Sequence, residues 1–282
     1  MAQQVEEPRQ QTPGLETDMA HKPDHGEQSY KGFGRMQGKA ALITGGDSGI
    51  GRAVAIAYAR EGADVALSYL PEEEEDARES ARWIQEAGRK SILLPGDIQQ
   101  EQHCRSMVER VMQDFGRIDV LVNNAAYQMT HQDVEEFSSE EWDRTFRTNI
   151  YAMFYLSKAA LPRMKQGSVI INTASVQAYK PNGMLLAYAT TKGGIVTFTK
   201  ALSELAVEKG IRVNAVAPGP VWTPLIPSTM PREKVENFGQ NDPFKRPAQP
   251  AELAPAYVFL ATQESSYVTG SVMDLTGGKM LP

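Results

Sequence analysis

The sequence has a single cysteine, no long apolar run and no excess of positive charge, and each shortage excludes a class of protein. Cys104 has no second cysteine with which to form a disulfide, which is typical of a reducing compartment, so we expect a cytoplasmic protein. Without a run of about 18 apolar residues, no membrane-spanning helix is expected. The net charge of −6 disfavours nucleic-acid binding, because a polyanion needs a basic surface.

Three polar features are interpreted as structural. Cys104 lies beside His103 in no recognisable reactive motif, so we expect a packing residue rather than a nucleophile. The acidic run 72–76 is interpreted as the first turns of a solvated helix, where carboxylates favour the positive end. His21 and His25 have no second cluster of ligands near them in sequence, and no metal site is predicted.

Composition divides the chain into an N-terminal arm, residues 1–36, and one domain, residues 37–282. The arm is rich in Gln, Glu, Pro, His and Gly and shows no apolar periodicity. Such a segment buries too little surface to offset its ordering entropy, so it is predicted to be flexible or partly docked. The remaining length fits one α/β domain, since such domains often reach about 250 residues.

In the domain, short apolar segments alternate with helical patterns of ten or more residues. This order predicts a single doubly wound parallel sheet (a Rossmann fold) with helices on both faces, and a ligand site beyond the carboxyl ends of the strands. The predicted strands are 40–44, 64–68, 91–94, 119–123, 168–173, 212–217 and 272–275, and the predicted helices are 50–60, 72–87, 101–115, 139–165, 186–208 and 250–261.

Two strand ends carry small residues suited to a flat or phosphorylated ligand. The first strand runs into Thr44–Gly51, a glycine-rich turn that opens a helix. Such a turn can bring backbone N–H groups and a positive helix end to a pyrophosphate. Asn123–Ala126 follows the fourth strand, although asparagine is equally typical of an ordinary turn.

A tyrosine and a lysine form the candidate catalytic pair. Tyr188 and Lys192 are four residues apart in a predicted helix and therefore share one face. A free phenol has a pKa of ~10, and a neighbouring ammonium lowers it. Ser175, after the fifth strand, can donate a hydrogen bond to a carbonyl oxygen. These groups predict proton transfer coupled to hydride transfer, with Tyr188 as general acid/base.

From about Lys39 to the C terminus, the chain resembles the short-chain dehydrogenase/reductase family. Ala126 departs from this resemblance, because the family usually has glycine there. The chain is most similar to the glucose/ribitol-dehydrogenase-like and general-stress-reductase subgroup, which implies an NAD(P)(H)-dependent oxidoreductase and a homotetramer. The matching segments are Thr12–Gly14, Thr44–Gly51, Tyr69–Glu74, Asn123–Ala125, Ser175, Tyr188–Lys192, Pro218–Gly219, Phe238–Gln240 and Glu264–Gly270.

The resemblance also implies roles for individual residues. The catalytic tetrad would be Asn149, Ser175, Tyr188 and Lys192, with Asn149 holding a water that links Lys192 to solvent. Within the cofactor site, Asp97 and Ile98 would contact the adenine, Asn123 and Ala125 the adenosine ribose and strand-end crevice, and Val221 and Thr223 the nicotinamide amide. The full cofactor set is Gly45, Asp47, Ser48, Gly49, Ile50, Tyr69, Asp97, Ile98, Asn123, Ala125, Tyr188, Lys192, Pro218, Gly219, Val221 and Thr223.

The choice between NADP(H) and NAD(H) usually depends on the residues after the second strand. An acidic residue there binds the ribose 2′-hydroxyl, whereas a basic one accepts the 2′-phosphate. The chain has Ser68-Tyr69-Leu70, which is neither. The missing acid favours NADP(H), with Ser48 and Tyr69 as phosphate contacts, and leaves NAD(H) open.

The predicted substrate is a small aldehyde, ketone or sugar, or the corresponding alcohol. Its predicted contacts are Ser175, Gln177, Tyr188 and Trp222, although Trp222 is also typical of core packing. Residues 224–244, rich in proline, are interpreted as an irregular lid. Two alternatives remain open: a 3-oxoacyl thioester reductase, and a non-catalytic nicotinamide-cofactor sensor. The first would use Lys234, Lys245 and Arg246 as a basic patch.

Overall fold

The computed structural model describes residues 6–281, which contain a seven-stranded parallel sheet. The strands are β1 (Ala40–Thr44), β2 (Asp64–Tyr69), β3 (Ser91–Pro95), β4 (Val120–Asn123), β5 (Val169–Thr173), β6 (Arg212–Pro218) and β7 (Val272–Leu275). Their order is β3-β2-β1-β4-β5-β6-β7, and all six neighbouring pairs are parallel. The chain therefore reverses its winding direction between β1 and β4, where a ligand crevice forms in such sheets.

Helices cover both faces of the sheet. They are α1 (Gly49–Arg60), α2 (Glu74–Glu86), α3 (Glu101–Phe115), α4 (Ser139–Phe146), α5 (Ala152–Ala160), α6 (Leu186–Val207), α7 (Leu225–Thr229), α8 (Arg232–Glu236) and α9 (Pro250–Ala261). One apolar layer joins the sheet to α1 and α9, with Tyr58 and Tyr257 fully buried in it. The other joins it to α3 and α5 through Met107 and Leu156. The predicted doubly wound sheet is confirmed.

The prediction of one continuous helix over 139–165 is wrong. Ser138 caps α4 by accepting a hydrogen bond from the Glu141 N–H at 3.1 Å. A π-helical turn over Arg147–Tyr151 then separates α4 from α5, and α5 ends at Ala160. Such turns widen a helix locally and often occur at functional sites. This one contains Asn149, so the interruption falls on a predicted catalytic residue.

The predicted lid, residues 224–244, is partly helical rather than irregular. Pro224 and Pro231 are the N-cap residues of α7 and α8. Proline is tolerated at the start of a helix, because the first N–H groups have no partner within the helix. The prolines that suggest a loop in the sequence therefore mark the starts of two short helices.

Residues 6–36 of the N-terminal arm form neither helix nor strand, but they lie against the domain. Glu16 is 1% exposed, and its N–H donates to the Asp76 carboxylate at 2.6 Å. Glu16 also lies 3.1 Å from the Arg52 guanidinium and 2.6 Å from His25. Flexibility is predicted because the arm shows no apolar periodicity. Polar contacts of this kind hold the arm without producing such a periodicity in its sequence.

These contacts correct the interpretation of the acidic run. Asp76 is 2% exposed, so the last residue of the run is not solvated, whereas Glu72 and Glu75 are exposed as expected. Asp76 accepts hydrogen bonds from the backbone of Glu16 and Thr17 and lies 3.5 Å from Arg52. Cys104 is buried as expected, with burial raising the pKa of its thiol to about 12. Within residues 6–281, no helix is long and apolar enough to cross a bilayer.

Candidate active site

A cavity of about 490 Å³ opens at the carboxyl ends of the strands. Its walls come from the glycine-rich turn after β1, from the ends of β4, β5 and β6, and from the N-terminal half of α6. Because parallel strands end at the same edge of the sheet, distant parts of the sequence meet here. The cavity therefore lies at the crevice that the predicted topology indicates.

Glycines bring the backbone of the turn close to its surroundings. Gly45 and Gly49 adopt φ values of +60° and +50°, which side chains other than glycine rarely adopt. A Cβ on Gly45 would lie 3.1 Å from the Ala125 Cα, and one on Gly49 would lie 2.9 Å from the Thr223 Cγ2. The two glycines therefore leave backbone N–H groups accessible at the start of α1, where an anion is favoured.

A buried polar layer braces this turn from behind. The Asp47 carbonyl accepts hydrogen bonds from the Arg52 Nε at 2.8 Å and the Ser80 Oγ at 2.7 Å. The Asp47 carboxyl lines the cavity and is 2% exposed, and its Oδ2 has no hydrogen-bond partner within the described residues. Burial raises the pKa of Asp47 to about 6. Burial, followed by the Asp47 charge, raises the pKa of Glu73 to about 9.

The predicted catalytic side chains meet in the same cavity. Ser175 lies two residues after β5, and α6 presents Tyr188 and Lys192 on one face. The Lys192 Nζ donates to the Thr173 carbonyl at 2.7 Å and lies 5.1 Å from the centre of the Tyr188 ring. A serine hydroxyl, a phenol and an amine are thereby placed around one space.

The ionisation of this pair differs from the sequence expectation. Burial raises the pKa of Tyr188 to about 12, with a smaller, opposing effect of the Ser175 hydroxyl. Burial also lowers the pKa of Lys192 to about 7. The expected lowering of the phenol pKa by the ammonium is therefore not observed. Both groups are removed from water, and the amine hydrogen-bonds to a carbonyl instead of to the phenol.

Asn149 makes hydrogen bonds to residues in and beside the wall of the site. Its Nδ2 donates to the Tyr127 carbonyl at 2.9 Å and to the Thr191 Oγ1 at 3.0 Å. Its Oδ1 accepts from the Tyr127 N–H at 2.8 Å. These bonds fasten the loop after β4 to α6. Asn149 also lines a neighbouring cavity of about 10 Å³, which is close to the space that one water needs.

Two predicted contacts lie outside the main cavity. Every residue of the predicted cofactor set lines it except Asn123, whose Nδ2 donates to the Asn172 Oδ1 at 2.8 Å. Asn123 instead lines the neighbouring cavity of about 10 Å³ together with Asn149. Trp222, predicted as a substrate contact, instead packs with Met19 and Ile226, and its Nε1 donates to the His21 carbonyl at 2.7 Å.

Several wall residues were not found by sequence reasoning. Thr12, Pro13 and Gly14 of the arm line the cavity, and so does Glu73 of the acidic run. The Arg144 guanidinium lies 4.2 Å from the centre of the Tyr127 ring beside the same space. The resemblance includes 12–14 as a motif, but nothing in its spacing indicates that the arm reaches a site built by β1, β5 and α6.

The donor set fits a nicotinamide dinucleotide. The turn at Gly45 and Gly49 provides a cradle that a Cβ would fill. The unpartnered Asp47 Oδ2 provides a buried acceptor at the same end of the cavity. Ser175, Tyr188 and Lys192 line the cavity together with Val221 and Thr223, which follow β6.

Comparison with known proteins identifies the family. A family model described as enoyl-(acyl carrier protein) reductase matches residues 45–279. The chain belongs to the short-chain dehydrogenase/reductase family. It is accordingly an NAD(P)-dependent oxidoreductase, and the predicted enzyme class and cofactor class are confirmed.

Individual relatives cover nearly the whole chain. It is 49% identical to NADPH-dependent aldehyde reductase 1, chloroplastic, of Arabidopsis thaliana, over 95% of this chain and 96% of that protein. It is 48% identical to glucose and ribitol dehydrogenase of Daucus carota, over 95% and 94%. Among solved structures, a short-chain dehydrogenase of Burkholderia cenocepacia in complex with NADP has a TM-score of 0.81 and 29% identity, over 86% of this chain and 98% of that one.

Proposed function

We propose that this short-chain dehydrogenase/reductase interconverts a small aldehyde, ketone or sugar and its alcohol, with Tyr188 as general acid/base. The observation that carries the proposal is the meeting of Ser175, Tyr188 and Lys192 with the glycine-rich turn in one cavity. The nicotinamide, when bound, supplies or accepts the hydride. The chain itself must orient the carbonyl and provide the proton.

Tyr188 suits proton donation during reduction. With a pKa of about 12, its phenol stays protonated at neutral pH and can protonate a carbonyl oxygen as that oxygen gains electrons. Ser175, 7% exposed at the end of β5, can donate a second hydrogen bond to the same oxygen. These two hydroxyls hold the carbonyl, with Gln177 as a further wall residue whose Oε1 already accepts from the Asn182 N–H at 2.7 Å.

Lys192 provides the charge that the phenol needs in the reverse direction. Its amine is 2% exposed and has a pKa of about 7, so a modest change in its surroundings alters its charge. When protonated, it favours a phenolate at Tyr188, and it can also bind a ribose hydroxyl. A water beside Asn149, in the cavity of about 10 Å³, is the proposed link to solvent.

We further propose that NADP(H) is preferred. No carboxylate occupies positions 68–70, and Ser48 and Tyr69 line the outer end of the cavity. Glu73 lies at the same end, and its pKa of about 9 leaves it protonated at neutral pH. A protonated carboxyl can donate a hydrogen bond to a 2′-phosphate instead of repelling it. The named cofactors of the Arabidopsis and Burkholderia relatives support the same choice.

The thioester-reductase alternative receives less support from the charges near the lid. Lys234 lines the cavity, as that alternative needs. Arg246, however, makes two hydrogen bonds of 2.7 Å each to the Glu252 carboxylate, which offsets its charge. Arg246 is therefore a poor anchor for the phosphate of an acyl carrier. A small uncharged carbonyl compound fits the site better.

The homotetramer expected from the family also remains a proposal. Of three apolar residues on α5, Met153 and Leu156 are buried in the core of the monomer, whereas Phe154 is 47% exposed. Phe154 and the neighbouring Tyr151 therefore carry the proposed contact. The molar mass in solution tests it: Phe154→Ser should shift the tetramer toward smaller species. Cell fractionation tests the cytoplasmic location.

The function is tested by following the near-ultraviolet absorbance of reduced nicotinamide. NADPH and NADH are each combined with a panel of aldehydes, sugars and diketones, and with a 3-oxoacyl thioester. Turnover on the first three classes with NADPH is the expected result. Turnover only on the thioester would support the alternative enzyme. Tight cofactor binding without turnover on any compound would support the sensor, and no binding of either cofactor would contradict the proposal.

A further inference from the structure

The N-terminal arm reaches the cofactor cavity and is fixed on both sides of it. On the lid side, the Gln10 N–H donates to the Pro227 carbonyl at 3.2 Å, and Gly14 packs on Pro224 and Ser228. A Cβ on Gly14 would lie 2.8 Å from the Ser228 Oγ and closer still to the Pro224 carbonyl oxygen. At this point the arm is pressed against α7 so tightly that it has room for glycine alone.

The second anchor lies behind the glycine-rich turn. The Glu16 and Thr17 N–H groups donate to the two oxygens of the Asp76 carboxylate, at 2.6 and 3.1 Å. The Glu16 carboxylate lies 3.1 Å from Arg52, whose Nε donates to the Asp47 carbonyl in the turn. The arm is thereby tied to the segment that would hold the pyrophosphate.

Between these anchors, Thr12–Gly14 line the cavity opposite the turn. They share it with Ser48 and Gly49 of the turn and with Thr223 and Pro224, which lie against Gly49. Neither the Thr12 N–H nor the Gly14 N–H donates a hydrogen bond to any atom of residues 6–281. Among residues 6–281, the Thr12 and Gly14 N–H groups are therefore without an acceptor, and the cavity that Thr12 and Gly14 line also contains the start of α1, where an anion is favoured.

We infer that Thr12–Gly14 form part of the dinucleotide site and close its outer rim over the pyrophosphate, so that the arm sets the rate at which the cofactor leaves. This inference rests on the proposed function, because it assumes that a dinucleotide occupies the cavity. The arm is then a wall of the cofactor site supplied from outside the doubly wound sheet. Because its two anchors fix the arm to the lid and behind the glycine-rich turn, the arm would keep the cofactor between these two segments.

A matched pair of glycine substitutions tests the inference. Gly14→Ala pushes the arm off Pro224 beside the cavity. Gly32→Ala pushes the same arm off the Arg60 carbonyl oxygen, at a position that does not line the cavity. Stopped-flow fluorescence of NADPH gives the release rate of each protein. Gly14→Ala should release NADPH about tenfold faster, the loss expected for one hydrogen bond to a charged group, whereas Gly32→Ala should match the wild type.

Hydrogen–deuterium exchange of the unmodified protein gives an independent readout, which holds even if Gly14→Ala folds poorly. Saturating NADPH should slow exchange at the Thr12 and Gly14 amides and leave the Gly32 and Phe33 amides unchanged. Equal release rates for the two variants, or no added protection at Thr12 and Gly14, would overturn the inference while leaving the proposed function intact. Absence of NADPH binding by the wild type would instead contradict the proposed function itself.

Discussion

Two buried cations, Arg52 beneath the arm and Lys192 in the cavity, have opposite surroundings. Arg52 is 6% exposed and lies near the carboxylates of Glu16 and Asp76, at 3.1 and 3.5 Å. Lys192 is 2% exposed, hydrogen-bonds to the Thr173 carbonyl, and has no carboxylate within 4.0 Å among residues 6–281. Removing one partner of a compensated buried ion pair destabilises a structure, because the other charge is left unpaired, whereas an uncompensated buried charge itself costs stability and is typical of a functional site.

Replacing Arg52 should give the largest loss of stability. Arg52→Met leaves Glu16 and Asp76 buried without their cation and removes one hydrogen bond to the Asp47 carbonyl in the glycine-rich turn and one to the Asp76 carbonyl in α2. Breaking a buried ion pair in this way typically costs about 3–5 kcal/mol. Urea unfolding measures the effect, with Arg82→Met on the exposed face of α2 as the control. Equal urea midpoints for Arg52→Met and Arg82→Met would contradict the view that Arg52 compensates the two buried carboxylates.

Replacing Lys192 should instead increase the stability of the protein. Burial lowers the pKa of Lys192 from 10.5 to about 7, so the unfolded chain binds more protons than the folded one between these values. Stability should therefore rise as pH increases from about 7 to 10.5. Lys192→Met removes the cost of burying the charge and should stabilise the protein by roughly 2–4 kcal/mol at pH 6, with turnover lost. A destabilised Lys192→Met at pH 6 would show that the lysine is compensated after all.

Glu73, at the cofactor end of the cavity, extends the comparison to a buried carboxyl group. Its pKa of about 9 means that it ionises as the pH rises through that value, and the new charge would then repel a 2′-phosphate. The ratio of the dissociation constant of NADPH to that of NADH should increase several-fold between pH 7.5 and pH 10. A tenfold change in this ratio corresponds to about 1.4 kcal/mol. Glu73→Gln should abolish this change and bind NADPH normally at pH 7.5. A change that persists in Glu73→Gln would exclude Glu73 as its source.

Trp222 gives the smallest expected effect. Trp222→Phe keeps an aromatic ring beside Met19 and Ile226 but loses the hydrogen bond to the His21 carbonyl. The cost should be about 1 kcal/mol of unfolding free energy, and KM for the substrate should not change. Thermal unfolding and steady-state kinetics measure the two quantities. A large increase in KM would restore Trp222 as a substrate contact.

The residues that sequence reasoning placed correctly depend on local rules. β1 is apolar and fully buried, and Tyr188 and Lys192 share a face because they are four residues apart. The glycine-rich turn is recognisable because strand, turn and helix follow each other directly. Each of these features can be inferred from a window of about ten to twenty residues.

The misplaced residues depend on contacts distant in sequence. Asp76 is buried by an arm that lies 60 residues before it, and Trp222 is held by His21, 201 residues away. Asn123, outside the main cavity, donates a hydrogen bond to Asn172 of the neighbouring strand. No periodicity records such pairs, because they join segments that meet only in the folded chain.

The central claim is that Tyr188 performs proton transfer in a preformed cofactor site. Its most direct test compares NADPH binding and turnover in the wild type and in Tyr188→Phe, on the best substrate of the panel. We expect an unchanged dissociation constant for NADPH and a fall in kcat of roughly 10²–10⁴-fold, the contribution of a general acid. Turnover within a few-fold of the wild type would contradict the account, because the proton would then come from another group.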